Sequence, residues 1–593
     1  MLTPEQIAAL RDWAGHIADP INDFLLEDIA RRIAKAGQLT SSASYQVWRA
    51  QELGMSQREI KKKLKKLLRV SNKELRQMLT QSAEVGYDFD IKRFPQVQAV
   101  SFSQNESLQG IVRAAVAMAQ KDLENITQTL GMVDPYGKAL PLRDAYRSCM
   151  DYAFKQVFTG ATDYNTAIRQ ATKHLADKGT RVIDYESGVH TSLEAATRRN
   201  IMGGLGLMQE QITAATHDDM GCDGWEISAH SNSAPDHEPI QGKQYSDAEY
   251  QSLNNSLVRR ISTLNCGHVA FPIILGVNEP QYTQEQLQKF RDDNAKGITY
   301  AGRHYTGYEA TQMQRRLERS IRKQKNRILT DEAAGDKDKL LQDQIKLQRL
   351  RQEYRQFSKA AGLRTEDERL YVSGFGRGEA ARSSAAAKKQ IALIDSFQEG
   401  MASAGYSTQG FDYYTGDVET LRQMQSAFTQ MASDFPEEAQ GLTIRLRWTD
   451  DTDTIGWFDD KSRTINYNRA LFKNWGTAQK EYADRVQSGH FPAGTAAKGC
   501  FYHEFGHAVW FARGGGSLRK AVDNTLLKLG YGRVNVSQRK ELLRKVLSIY
   551  ASETTSPAYQ EVIAEAFSEW YNSDKPRDFC KEFLKEVGVI GDV

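Results

Sequence analysis

The sequence predicts a multidomain, mainly α protein: a helical N-terminal region, a small loop-rich α+β module, a long helical hairpin and a C-terminal α+β domain. Three observations carry this prediction. The chain has 593 residues, several times the usual size of a domain, so more than one hydrophobic core is required. Proline is scarce, at 13 residues, which lets long helices run uninterrupted. Strand-like patterning is confined to two places, a histidine-rich stretch after residue 217 and a segment after residue 440.

Composition narrows the class further. Apolar residues make up 40% and charged residues 26%, which excludes collagen-like, mucin-like and wholly disordered chains. No run approaches ~18 apolar residues, so no membrane-spanning helix is expected. The 78 basic and 75 acidic residues nearly cancel, so any nucleic-acid contact must be local. Five cysteines, an odd number, cannot complete a disulfide framework and favour a reducing compartment. The first residues read as a helix start rather than a signal peptide, with Thr3 as N-cap, Pro4 at the first helical position and Gln6 closing a capping box.

Residues 1–216 show helical spacing throughout, as in Leu25, Leu26, Ile29 and Ile33 or Val112, Ala115, Val116 and Ala119. No sheet is expected there. Arg58 to Arg69 forms a basic amphipathic helix with Ile60, Leu64, Leu67 and Leu68 on one side. A solvated face over ordinary core packing is the preferred reading; a surface for DNA or an acidic partner is the alternative. Residues 217–300 form the loop-rich module, holding His217, His230, His237, His268, Cys222 and Cys266. Imidazole and thiolate suit zinc, but the spacings match no standard zinc pattern, and hydrogen-bonded histidines are preferred. Residues 301–370 form the hairpin. In its first helix Arg315, Arg316, Arg319, Arg322, Lys323, Lys325 and Arg327 face one acid, Glu318. Its second helix carries Leu340, Leu341, Ile345, Leu347 and Leu350, and Gly335-Asp336 make the turn. Residues 371–400, rich in small side chains from Ser373 to Ser384, read as a linker. Residues 401–593 alternate helices with three strand-like pieces, Leu442 to Trp448, Thr454 to Phe458 and Thr464 to Asn468, with Asp459 to Ser462 as a hairpin loop.

The most specific chemical signal is His503-Glu504-Phe505-Gly506-His507. Residues four apart share a helix face, so both imidazoles can address one zinc ion. Glu504 is then placed to take a proton from the water that the ion activates. Cys500, Phe501, Ala508, Val509 and Phe511 make the same segment apolar, and buried histidines and glutamate need a partner. A catalytic zinc requires a third ligand. The continuation through Trp510 and Arg513 supplies none, whereas Glu561 and Glu565 share one face of a later amphipathic helix.

These residues, with Glu561, Ala564, Glu565, Ala566 and Phe567, resemble the lethal-factor-like branch of the zinc metallopeptidases over the last quarter of the chain. The resemblance implies a zincin-like domain in which Glu561 is the third zinc ligand beside His503 and His507. It also implies an oxyanion-stabilising tyrosine, for which Tyr550 is the best match and Tyr559 the alternative. A second resemblance covers roughly residues 1–370. His230 to Gly242, then Asn265-Cys266-Gly267-His268, then the arginine-rich hairpin, are similar to the minor capsid, or minor head, proteins of tailed phages. Such proteins carry an arginine just before the histidine equivalent to His237, where this chain has Pro235-Asp236.

Together the resemblances imply a virion protein of the phage head, acting in head morphogenesis near the portal. Its implied partners are portal and capsid proteins, with packaged DNA touching the basic helices. The C-terminal zinc-dependent hydrolase would act on a peptide or protein, and no membrane is involved. Two alternatives stand beside this reading. One is an effector or toxin metalloprotease delivered by a phage-like scaffold; the other is a structural head protein with an inactive zincin domain.

Overall fold

The computed structural model describes residues 10, 13–14, 16–39, 41–92, 94, 100–184, 189–258, 260–261, 268–372, 374–449, 454–513, 517–553 and 559–591. The chain is multidomain and mainly α, dividing into two compact units, Met1–Ser384 and Ala385–Val593. Among the described residues no helix is long and apolar enough to cross a membrane. The expected helix start at Thr3 to Gln6 lies outside the described residues, as does the Asn265-Cys266-Gly267 stretch.

The first unit is organised around helix α1 (Asp19–Gly37), which buries Ile21, Leu25, Leu26, Ile29 and Ile33. Helix α2 (Ser42–Ile91) is 50 residues long, capped by the Ser41 hydroxyl accepting from the Ser44 N–H. Its basic stretch keeps Lys62, Lys63, Lys65 and Lys66 exposed and buries Ile60, as an amphipathic face should. Helix α3 (Glu106–Gln128) follows.

The expectation of no sheet in this region is wrong. Strands β1 (Leu130–Val133) and β2 (Ala139–Pro141) precede helices α4 (Leu142–Phe158) and α5 (Tyr164–Lys178). Strands β3 (Arg181–Ile183) and β4 (His190–Ser192) complete an antiparallel sheet ordered β2-β1-β3-β4. Strands of three or four residues are too short to show a period of two, and all four positions of β1 are buried, so no alternation exists to read. Gly131 is required for the pairing, because a Cβ there would lie 2.3 Å from the Leu140 carbonyl oxygen.

Helix α6 (Leu193–Asp219) leads into the loop-rich module. There β5 (Gly224–Ile227) pairs antiparallel with β6 (Gln244–Ser246) on one side and β7 (Ala270–Ile273) on the other. A capping box between Ser246 and Glu249 starts α7 (Asp247–Ser256), and one between Thr283 and Gln286 starts α8 (Gln284–Lys296). A two-stranded ribbon, β8 (Ile298–Tyr300) and β9 (Arg303–Tyr305), then feeds the hairpin of α9 (Gly307–Ala334) and α10 (Lys337–Ala360). Gly335, at φ 76°, makes the left-handed turn between them. Leu317, Ile321 and Ile328 pack with Leu347, Tyr354 and Phe357.

Much of the hairpin's positive charge is satisfied inside the unit. Arg327 and Lys323 pair with Asp177 of α5, Arg322 donates to the Arg369 carbonyl and Lys325 to the Leu370 carbonyl. The segment read as a linker is helical from Arg377 onward, in α11 (Arg377–Ser403), and the boundary between the two units falls at residues 384 and 385 within it. Alanine and serine side chains lose little entropy on helix formation, so small residues alone do not distinguish a linker from a helix.

The second unit contains a sheet ordered β10-β11-β13-β12. After β10 (Ser407–Gln409) come helix α12 (Val418–Asp434), β11 (Thr443–Arg447), β12 (Gly456–Asp459) and β13 (Thr464–Asn468). Strands β10, β11 and β13 run parallel, and β12 is the antiparallel edge. Strand β10 has three residues and no sequence signature. Helices α13 (Trp475–Gln487), α14 (Gly499–Arg513), α15 (Leu518–Lys528), α16 (Val536–Val546), α17 (Ile549–Glu553), α18 (Gln560–Asn572) and α19 (Asp578–Glu586) follow. Phe428 of α12, Tyr467 of β13 and Phe501 and Phe505 of α14 form an aromatic core between sheet and helices.

Within the first unit, Asp23 of α1 accepts a hydrogen bond from the Gly374 N–H at 2.9 Å, joining residues 351 apart in sequence. Burial, reinforced by the nearby Asp19 charge, pushes the Asp23 carboxyl from 3.8 up to about 7. A raised acid pKa in the fold favours folding fully below the unfolded value near 4, and the advantage is lost as pH rises through about 7. Asp23→Asn should therefore leave stability nearly unchanged at pH 4 and increase it at pH 8, by up to about 4 kcal/mol. Urea unfolding of both chains at the two pH values measures this; an equal effect at both would remove Asp23 as the cause.

Candidate metal centre

Helix α14 is apolar on nearly every face because it lies between the sheet and α18, with Cys500, Phe501, Phe505 and Val509 all buried. It approaches α18 at Gly506, where a Cβ would lie 3.0 Å from Phe567 Cβ and 3.2 Å from Ala564 Cα. That close approach brings the histidines of α14 to the glutamates of α18. His503 Nε2 lies 3.1 Å and His507 Nε2 3.5 Å from the same oxygen, Glu561 Oε2. The ligand atoms of the three residues all lie within 4.8 Å of one another.

These separations fit one ion. Donors about 2.0–2.1 Å from a tetrahedral zinc stand about 3.3 Å apart. Although Glu561 Oε2 is this close to both imidazoles, it makes no hydrogen bond of proper geometry with either. The donor set, two imidazoles and a carboxylate, suits zinc. His503 Nδ1 lies 2.8 Å from Glu565 Oε1, which fixes the ring with Nε2 turned toward Glu561. Glu565, sequentially one turn beyond Glu561, is thereby a support for His503. Glu569 is held by the Arg577 guanidinium and backbone N–H.

Electrostatics follow from this crowding. Burial opposes a charged His503, but the nearby carboxylates of Glu561 and Glu565 prevail and hold the imidazole well above its ordinary range. Burial likewise opposes a charged Glu561, and the two histidines overcome it, keeping the carboxyl below the usual range. Glu504 is raised, by burial first, with His503 and His507 pulling the other way. Its Oε2 is buried with no hydrogen-bond partner among the described residues.

Glu504 and His503 line a cavity of about 300 Å³ together with Gly456, Tyr482, His490 and Tyr550. Gly456 of the edge strand abuts the catalytic candidate: a Cβ there would lie 3.1 Å from Glu504 Oε1. The Tyr550 ring is 5.9 Å from that of His503, and burial raises its hydroxyl pKa. Tyr559, at the start of α18, instead has its hydroxyl bonded by Arg539 at 3.2 Å. Sequence reasoning missed Gly456, Tyr482 and His490. They come from β12, α13 and the loop after it, and only their fold position relates them to the histidine helix.

The histidines of the first unit separate into two environments. His217 stacks on Trp225 with ring centroids 4.8 Å apart and lies 3.0 Å from Asp247. His230, His237 and His268 cluster elsewhere, with His237 and His268 buried. Cys266 lies outside the described residues, and the structure does not bring His217 into the cluster.

Comparison with known proteins bears on the first unit. Residues 2–359 match the family model of phage minor capsid protein 2. The chain belongs to that family, which makes it a structural component of the phage head and places it in the virion with other head proteins. The match ends before the helix that carries His503. No curated protein and no solved structure matches the chain.

The Gly506 contact is directly testable. Gly506→Leu would insert a side chain where even a Cβ is crowded by backbone, and should destabilise the second unit by about 3 kcal/mol or more. Its melting temperature should fall by roughly 10 °C, read by calorimetry. A Leu variant with unchanged melting would show that the helices are not held this closely.

Proposed function

We propose that this phage head protein acts near the portal and carries a zinc-dependent peptidase in its C-terminal unit. The observation that carries the peptidase reading is the convergence of His503, His507 and Glu561 beside Glu504 at the wall of a cavity. His503, His507 and Glu561 would hold the ion. Bound zinc supplies Lewis acidity, acidifying water toward neutral pH and polarising a peptide carbonyl.

The chain's own residues supply the rest. Glu504, desolvated and with its pKa raised, accepts a proton from the attacking water and passes it to the leaving amine. Tyr550, protonated at neutral pH, donates to the developing oxyanion. An extended peptide paired with the open edge of β12 would pass Gly456 and lie along the Glu504 carboxylate.

The head role rests on family membership and the assembly role on the first unit. A groove of about 1100 Å³ beside α1 and α2 is lined by Arg31, Lys35, Lys62, Lys63, Lys65 and Lys66. Packaged DNA is its proposed partner, through phosphate contacts that weaken as salt rises.

Three expectations follow. Glu504→Gln should retain about one zinc at this centre while peptide hydrolysis falls by at least ~10²-fold. Glu561→Ala should lose zinc far more readily than Glu565→Ala, measured by metal analysis after dialysis; the reverse order would put the ligand on the wrong turn of α18. On assembly, a chain ending at Ser384 and full-length Glu504→Gln should both co-purify with heads. Failure of the Glu504→Gln heads to form would make the peptidase a maturation enzyme instead.

A further inference from the structure

We propose that the basic groove of the first unit holds single-stranded DNA, with an unpaired base stacked on Trp48. The inference deepens the reading of this groove as a DNA contact and rests on it. Residues of α1 and α2 line the groove, which has a volume of about 1100 Å³ and mixes lysines with two aromatic rings, Phe24 and Trp48.

Charge comes first. Arg32 donates to Asp28 at 2.9 Å and also to Glu52, so one guanidinium engages both acids of the lining. Lys35, Lys62, Lys63, Lys65 and Lys66 are exposed, and among the described residues none of them has a carboxylate within ion-pair distance. The hairpin differs, because Arg327 and Lys323 meet Asp177 inside the unit. Like charges without counter-ions around one concavity repel one another and focus their field on a polyanion.

The aromatic rings decide which form of DNA fits. Trp48 is half-buried at the groove, and its neighbour Tyr45, 6.1 Å away between ring centroids, is itself fixed by stacking on Phe154 at 3.9 Å. The Lys63 ammonium lies 5.8 Å from the Phe24 ring centroid, so a cation for phosphate stands beside an apolar surface for a base. A duplex presents its phosphates outward and keeps its base faces stacked on one another, so it would use the lysines and leave Trp48 idle. A single strand uses both, since every base has a π-face and stacking on an aromatic side chain tolerates any sequence. From Phe24 to Lys35, α1 runs about 16 Å, the length of about four stacked nucleotides at ~3.4 Å each.

The test titrates the full-length chain with an oligothymidylate of about 12 nucleotides, with a duplex of the same length, and with poly-glutamate as a polyanion that has no bases. The single strand should bind at least ~10-fold tighter than the duplex and quench tryptophan emission, and Trp48→Phe should remove most of that quenching. Trp48→Leu should weaken single-strand binding ~10-fold and change duplex binding less than ~2-fold. Should the Leu variant fail to fold, Lys62→Ala/Lys66→Ala, at exposed positions one turn apart, should lower the slope of log affinity against log salt for the single strand by about 1.4. Equal binding of the two DNA forms without quenching from Trp48 would overturn the inference and leave the groove a DNA contact. Binding of neither form, or poly-glutamate binding as tightly as oligothymidylate, would remove the DNA reading itself and the inference with it.

Discussion

At Gly506 the backbone of α14 meets Ala564 and Phe567 of α18 with no side chain between them. Everything distinctive in the second unit depends on that approach. Two helices in ordinary contact stand 8–10 Å apart, depending on the side chains between them; any bulk at Gly506 would carry Glu561 away from His503 and His507. The burial of four charged or chargeable groups follows from the same closeness. A carboxylate and imidazoles removed from water are costly singly and tolerable together, because each lowers the desolvation cost of the others.

A common rule governs the histidines of both units. An oxygen on the far side of the ring determines which nitrogen faces inward: Glu565 for His503, Gln241 for His268, the Ser231 carbonyl for His230. The orientation of each imidazole is therefore set by groups whose position depends on helix packing in one unit and on a turn in the other. His217 is the contrast. Its nitrogens meet the carboxylates of Asp218 and Asp247, and its face covers Trp225, so it serves packing and hydrogen bonding.

The parts legible in the sequence were those encoded by local spacing. The pair His503 and His507, the face shared by Glu561 and Glu565, the basic helical stretch from Arg58 to Arg69, and the hairpin turn at Gly335 each lie within a few helical turns. What escaped was set by distant partners or by strands too short to have a period. The sheet containing β1 falls in the second class, as does β10. The charge balance of the hairpin falls in the first, since Asp177, 150 residues before Arg327, quenches cations that composition reads as a bare stripe. The different surroundings of Tyr550 and Tyr559 were equally invisible, because Arg539, which bonds the Tyr559 hydroxyl, lies 20 residues before it. Gly456 carries no signal at all until the edge strand is placed beside Glu504.

The bond from Gly374 to Asp23 ties a late segment of the first unit back to its central helix. Tight space reinforces it, since a Cβ at Gly374 would press on Glu27 and Leu329. A unit clasped in this way is a closed cassette. Recombination among head genes can exchange whatever follows Ser384 without opening the clasp, so one capsid scaffold can acquire, trade or discard a second unit while its own lineage stays intact.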